Sequence, residues 1–107
     1  MGSDRSVARA LRWDGALPFK PTPANPYAPL EPEDVAELRR IASEAGNDTA
    51  WDIVLEGVTP SGDAAAEERV ARLEEAGATW WIESMWDDRG GVDAVRRRIV
   101  AGPPRTR

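Results

Sequence analysis

Three dipeptides set a carboxylate beside a small residue: Asp14-Gly15, Glu56-Gly57 and Glu83-Ser84. Each lies at the edge of a short run of apolar, β-branched or aromatic residues, so each reads as the end of a strand. If the strands are parallel, their carboxyl ends gather on one face, where such folds place ligands and catalysis, and the three acids would line one rim. There they could accept hydrogen bonds from a ligand or orient a catalytic group. They could equally be solvated or paired acids at a loop edge. No acid–base role is assigned, because separations and pKa values decide such roles. Histidine and cysteine are both absent, which removes the commonest general base and metal ligand, thiolate nucleophiles and disulfides. No catalytic residue and no metal ligand is therefore named.

Aromatic residues are the second candidate set. Trp80, Trp81 and Trp86 fall within one strand and its following loop, with Trp13 and Trp51 earlier in the chain. An aromatic near an open rim could stack on a planar cofactor, although bulky core packing explains many such residues. Alternation sends Trp80 and Trp81 to opposite faces of a sheet. Taking Glu83 as inward-facing puts Trp81 inward with it and leaves Trp80 and Ile82 to pack beneath helices. By the same parity Val54 points inward with Glu56, and Ile53 and Leu55 point outward. Asp14, Glu56, Trp81 and Glu83 are thus the expected pocket-facing residues, with Trp13 and Trp86 as aromatic walls. Asp88-Arg89-Gly90-Gly91 could offer backbone N–H groups to an anion, but it matches no phosphate-loop or dinucleotide pattern and reads better as a turn.

The elements that must hold these residues alternate in type. A short helical stretch over 7–12 leads into a brief strand, Trp13-Asp14-Gly15-Ala16-Leu17-Pro18, and the loop at 19–30 carries Pro21, Pro23, Pro26 and Pro29. A helix then starts at Pro32 and stops at Gly46. Leu30 and Val35 are placed to staple its start, Val35, Leu38, Ile41, Ala42 and Ala45 form its apolar stripe, and Glu37, Arg39, Arg40 and Glu44 take the wet side. Trp51-Asp52-Ile53-Val54-Leu55-Glu56-Gly57 reads as a buried strand. It is followed by a helix with Asp63 as N-cap, Ala66, Val70 and Leu73 on its apolar face, and Gly77 at its end. A third strand spans 78–85, and Val92, Val95 and Ile99 mark a last helix that Gly102-Pro103-Pro104 ends. The order strand, helix, strand, helix, strand, helix predicts an α/β unit of three successive βα repeats on a parallel sheet.

Composition excludes several classes. At 107 residues the chain can build one core, and a domain of this size hides only roughly 60–70% of its surface on folding. A net charge of -5 opposes non-specific nucleic-acid binding. The basic cluster Arg96, Arg97, Arg98, Arg105 and Arg107 reads chiefly as solvated charge at the negative end of the last helix. No apolar run approaches the ~20 residues of a membrane span, so neither a membrane nor a nucleic acid is an expected partner, and a cytoplasmic location is the default.

Four stretches, in this order and spacing, resemble the C-terminal end of the bacterial-luciferase-like flavin-dependent oxidoreductases. They are Arg12-Trp13-Asp14-Gly15-Ala16-Leu17-Pro18, Trp51-Asp52-Ile53-Val54-Leu55-Glu56-Gly57, Glu75-Ala76-Gly77-Ala78-Thr79-Trp80-Trp81-Ile82-Glu83 and Arg98-Ile99-Val100-Ala101-Gly102-Pro103-Pro104-Arg105. The resemblance covers nearly the whole chain and implies a partial TIM barrel, residues 1–107 forming the C-terminal part of a (β/α)8 barrel, its sixth to eighth strands. It also implies an FMN or F420 cofactor at the carboxyl ends of the strands, a small organic substrate, and oxidoreductase or monooxygenase chemistry. The five preceding strands, which in the family supply much of the cofactor site and the usual catalytic groups, are missing. The segment is therefore expected to line part of a flavin pocket without turning over alone. Met1 then reads as an internal methionine of a longer frame, and Gly2-Ser3 fall where the family's fifth strand meets a glycine-containing turn near the cofactor phosphate. Three parallel strands also leave two raw edges and an unfilled inner face. Self-association, or docking to a separately encoded N-terminal half, would cover them. The rival expectation is a non-catalytic half-barrel serving as an oligomerisation or interaction module.

Overall fold

A computed structural model of the chain describes residues 4–47, 50–85 and 90–105. In chain order the elements are α1 (Asp4–Ala10), β1 (Gly15–Ala16), α2 (Pro32–Glu44), β2 (Asp52–Gly57), α3 (Ala64–Ala76), β3 (Trp80–Glu83) and α4 (Gly91–Ala101). The strands form one sheet in the order β1-β2-β3, and both pairings are parallel. The chain is thus an α/β protein with strand and helix alternating along the sheet. Among the described residues no helix is long and apolar enough to cross a membrane.

Local chemistry explains the helix boundaries. At the start of α2 the Glu31 N–H donates to Asp34 Oδ2 at 3.0 Å, Pro32 occupies a first-turn position where its missing N–H is harmless, and Leu30 and Val35 are both buried across the start. In α3 the Asp63 carboxylate accepts from the Ala66 N–H at 3.1 Å, and Gly77 ends the helix at φ 122°, a conformation that disfavours any side chain. β1 is shorter than the sequence suggests. Pro18 has no N–H to continue the ladder, and the chain leaves the sheet after Ala16.

The core lies on one face of the sheet. Leu30, Val35, Leu38, Ala42, Trp51, Ile53, Leu55 and Leu73 form a single buried cluster joining α2, α3 and β2. Burying each large aliphatic side chain contributes about 1.5–3 kcal/mol, so this cluster dominates what stability the chain has. Arg39 fastens the amino-terminal end of the layer. Its guanidinium donates to the Trp51 carbonyl at 2.8 Å and to the Gly77 carbonyl at 2.7 Å, so a residue expected on the wet side of α2 is half-buried and ties that helix to β2 and to the end of α3. The Trp51 indole N–H reaches back to the Trp13 carbonyl at 3.1 Å, and Asn47 Nδ2 to the Leu11 carbonyl at 2.9 Å, docking the α1–β1 segment.

The register corrects the facing of β3. Leu55 pairs with Trp81 and Glu56 with Ile82, and partners in a parallel ladder share a face. Trp81 and Glu83 therefore lie on the helix-covered face with Ile53 and Leu55, and Trp81 packs against the core. Val54, Glu56, Trp80 and Ile82 share the opposite face, where Trp80 is 62% and Ile82 42% exposed. The expectation for Val54 and Glu56 holds, and that for the pair Trp81/Glu83 against Trp80/Ile82 is reversed. α4 also differs from expectation. Of its apolar residues Val95 is half-buried, whereas Val92, Ile99 and Val100 are exposed. A crossover helix packs over its own strand and the next one, and beyond β3 the sheet has no further strand among the described residues. The radius of gyration, 14.9 Å, exceeds the roughly 13 Å expected for a compact domain of this length, in line with the uncovered face.

Candidate functional site

The proline-rich loop is ordered by its own backbone. Lys20 N–H donates to the Ala28 carbonyl at 2.8 Å and Thr22 N–H to the Asn25 carbonyl at 2.9 Å, closing a narrow hairpin-like turn, and Lys20 Nζ anchors it to Asp34 of α2 at 3.0 Å. This closure brings Phe19 and Tyr27 edge to face, with ring centroids 5.7 Å apart at 80°. The pair forms one wall of a cleft of about 990 Å³ at the carboxyl end of β2. Pro29 continues that wall. Gly57, Val58 and Thr59 of the β2–α3 loop form the floor, Ala66 and Val70 of α3 one side, and Trp81 and Ser84 the other.

Three charged residues line the cleft: Glu31, Glu56 and Arg69. Arg69 is tied down, with Nη1 3.2 Å from Glu31 Oε2 and Nη2 donating to the Leu30 carbonyl at 3.3 Å. Glu56 Oε2 accepts from the Ser84 hydroxyl at 2.7 Å, and its Oε1 has no partner among the described residues. The cleft thus combines an aromatic and aliphatic lining with two carboxylates and one already neutralised guanidinium.

Glu83 belongs to a different arrangement. Its Oε1 accepts from the Thr59 N–H at 2.6 Å, its Oε2 accepts from the Thr59 hydroxyl and, at 3.3 Å, from the Trp81 indole N–H, and Arg98 Nε stands 3.4 Å from Oε1. Arg98 also donates to the Thr59 hydroxyl at 3.2 Å and to the Gly102 carbonyl. Burial pushes the Glu83 carboxyl up, but the hydrogen bonds from Thr59 and Trp81, with the guanidinium beside it, outweigh burial and hold its pKa below the ordinary glutamate value. The group is a joint between the β2–α3 loop, β3 and α4, with its acceptor positions occupied.

The other candidates separate. Asp14 precedes β1, and its carbonyl accepts from the Asp52 N–H at 2.9 Å, so it lies at the amino end of the sheet. The length of β2 puts roughly 17 Å between that level and Gly57. The three acids therefore do not share a rim. Trp13 is 69% exposed at the same amino end, its carbonyl accepting from Trp51. Trp86, with Asp88 and Arg89 of the glycine-containing turn, lies outside the described residues. Of the six candidates, the structure brings Glu56 and Trp81 together in the cleft. Sequence reasoning missed Phe19, Tyr27, Arg69 and Ser84. The available signal was a pair of aromatics embedded among prolines, which are stiff enough to hold rings against a cleft.

Among the described residues no group of three or more acids could hold a metal ion. No family model, curated protein or solved structure matches this chain at a significant level.

Proposed function

We propose that the chain is the closing part of a luciferase-like flavin-dependent oxidoreductase barrel, forming part of the wall of an FMN or F420 pocket and not turning over by itself. The observation that carries this reading is the two-sided parallel sheet. Helices cover the face of Ile53 and Leu55, the face of Val54, Glu56, Trp80 and Ile82 stands open as a barrel lumen would in a partial TIM barrel, and a cleft opens at the carboxyl end of β2. Phe19, Tyr27 and Trp81 supply surfaces against which a planar ring system could stack. The phosphates of either cofactor find no partner there among the described residues, since Arg69 is paired with Glu31, and would need groups contributed by another chain segment. The test is a titration of the purified chain with FMN and F420, following tryptophan fluorescence. Saturable quenching in the micromolar range supports a retained pocket, and an unchanged signal up to millimolar cofactor counts against it.

A second reading has its own observation. The exposed Trp80 and Ile82 on the sheet, and Val92, Ile99 and Val100 on α4, favour a non-catalytic half-barrel that works as an oligomerisation or interaction module, whether by self-association or by docking to a separate N-terminal half. A monomer in sedimentation at all accessible concentrations removes the self-association form of this reading.

A further inference from the structure

The cleft at the carboxyl end of β2 carries a charge pattern that a flavin cofactor does not match. We infer that it is the substrate side of the site and takes an aromatic ligand bearing a cationic or N–H-donating nitrogen, with the ring against Phe19, Tyr27 and Trp81 and the nitrogen at Glu56. This inference deepens the flavin-oxidoreductase reading by assigning the cleft to the organic substrate rather than to the cofactor.

Three observations support it. Two carboxylates, Glu31 and Glu56, face one guanidinium, Arg69, and Arg69 is already engaged by Glu31 and by the Leu30 carbonyl. An entering anion meets the remaining carboxylate, whereas an entering cation meets a partner. Glu56 Oε2 is held by the Ser84 hydroxyl at 2.7 Å, which fixes the carboxylate's orientation and leaves Oε1 open among the described residues. An oriented acceptor fixes the place of a donor in a mostly apolar pocket, the arrangement that gives a small-molecule site its specificity. Phe19 and Tyr27 stand at 80° to each other, so at most one of the two can turn its electron-rich face to a given ligand; where Phe19, Tyr27 or Trp81 does so, the ring attracts a cation and agrees with the charge that Glu56 selects. FMN and F420 are both polyanions. The phosphate end of either is the part this cleft is least suited to receive.

The experiment compares three probes of one shape on the full-length ¹⁵N-labelled chain: 2-naphthylmethylamine, 2-naphthylmethanol and 2-naphthoate. Binding is followed by the amide shifts of Tyr27, Val58, Arg69 and Ser84. The amine is expected to bind at least about tenfold more tightly than the carboxylate, with the alcohol between them, a spread set by one charge contact at a half-buried site. Glu56→Gln keeps the Ser84 contact and should reduce the amine-over-alcohol preference to below about twofold while the alcohol binds as before, which also shows that the fold is intact. Equal or tighter binding of the carboxylate, a preference that survives Glu56→Gln, or no shift at these amides with any probe overturns the inference. FMN added to the amine complex separates the two readings. Displacement of the amine overturns the substrate assignment while supporting a flavin pocket. FMN binding without displacement supports both. Amine binding without any FMN binding supports the inference and counts against the flavin reading.

Discussion

A Cβ on Gly57 would stand 2.6 Å from the Cη2 edge of the Trp81 indole and 3.0 Å from Cζ2. The missing side chain at the end of β2 is thus what lets Trp81, on the neighbouring strand, lie across the ladder, meet the core and present its ring to the cleft. Gly57 and Glu83 are opposite each other in the register, and the Trp81 N–H ends on the Glu83 carboxylate, so strand pairing, cleft wall and the joint to α4 meet at this point.

The first prediction concerns that space. An indole is rigid and anchored at its N–H, so Gly57→Ala must displace it or bend β2. Overpacking of this kind costs about 1–3 kcal/mol. The midpoint of urea unfolding should fall by the corresponding amount with the m-value unchanged, and in a Trp81→Leu background, itself less stable than the parent, Gly57→Ala should cost much less. A single variant as stable as the parent would show that the contact yields freely.

How far the sequence foretold this arrangement depends on the range of the interaction. The Leu30–Val35 staple, the Asp63 cap and the Gly77 terminus are each decided within a few residues, and each was legible. Alternation separates Trp80 from Trp81, but it does not say which of them faces the helices. That depends on Leu55 pairing with Trp81 rather than with Trp80, a non-local matter of one residue in register. Asp14 looked like a strand end because its neighbours suit a strand, and it stands before the ladder because pairing begins with Gly15 opposite Asp52, the first residue of β2. The Phe19–Tyr27 wall depends on a loop closure between Lys20 and Ala28 that no local propensity announces.

Arg39 gives the second prediction. Hydrogen bonds from its guanidinium to the Trp51 and Gly77 carbonyls bridge three elements, and its side chain packs 3.0 Å from where a Gly77 Cβ would be. Removing it leaves both carbonyls half-buried and short of a partner. With charge-assisted bonds contributing about 1.5–3 kcal/mol, Arg39→Ala should lower stability by about 2–4 kcal/mol, non-additivity included. Arg39→Lys can reach one carbonyl at a time and should recover less than half. A denaturation midpoint for Arg39→Ala within error of the parent contradicts the clamp.

Acid should act through Glu83. Its folded-state pKa is depressed, so its contribution is fully present above the unfolded-state glutamate value of about 4.3 and is lost as the pH falls through the lower folded value. Unfolding free energy measured from pH 6 downward should therefore decline below about pH 4.3. Asp34 acts in the same direction: burial raises its pKa, but the Glu31 N–H and Lys20 outweigh that and lower it. Glu83→Gln should accordingly flatten only part of the decline, and Glu83→Gln with Asp34→Asn more of it. Glu83→Gln should also cost about 1–3 kcal/mol at neutral pH, because the partly buried Arg98 guanidinium loses its counter-charge. A pH profile unchanged by both substitutions would place the acid sensitivity elsewhere.

The open sheet face gives the last prediction, which rests on the interaction-module reading. Trp80 at 62% and Ile82 at 42% exposure flank each other on β3, and on the same face Glu56 holds Ser84 through a hydrogen bond. A half-exposed Trp and Ile on a flat strand bury well only against another apolar surface, and an outermost strand of a parallel ladder can also pair along its free edge. Trp80→Thr with Ile82→Thr keeps β propensity at both sites and removes most of the apolar surface without touching the core on the other face. In sedimentation velocity the parent chain should show a concentration-dependent coefficient above that of a monomer, and the double variant should sediment as a monomer across the same range. Its urea transition, measured at low concentration where the parent is also monomeric, should stay within about 0.5 kcal/mol per site of the parent. If both proteins associate to the same degree, the contact is made elsewhere, and α4 with its exposed Val92, Ile99 and Val100 is the next surface to remove.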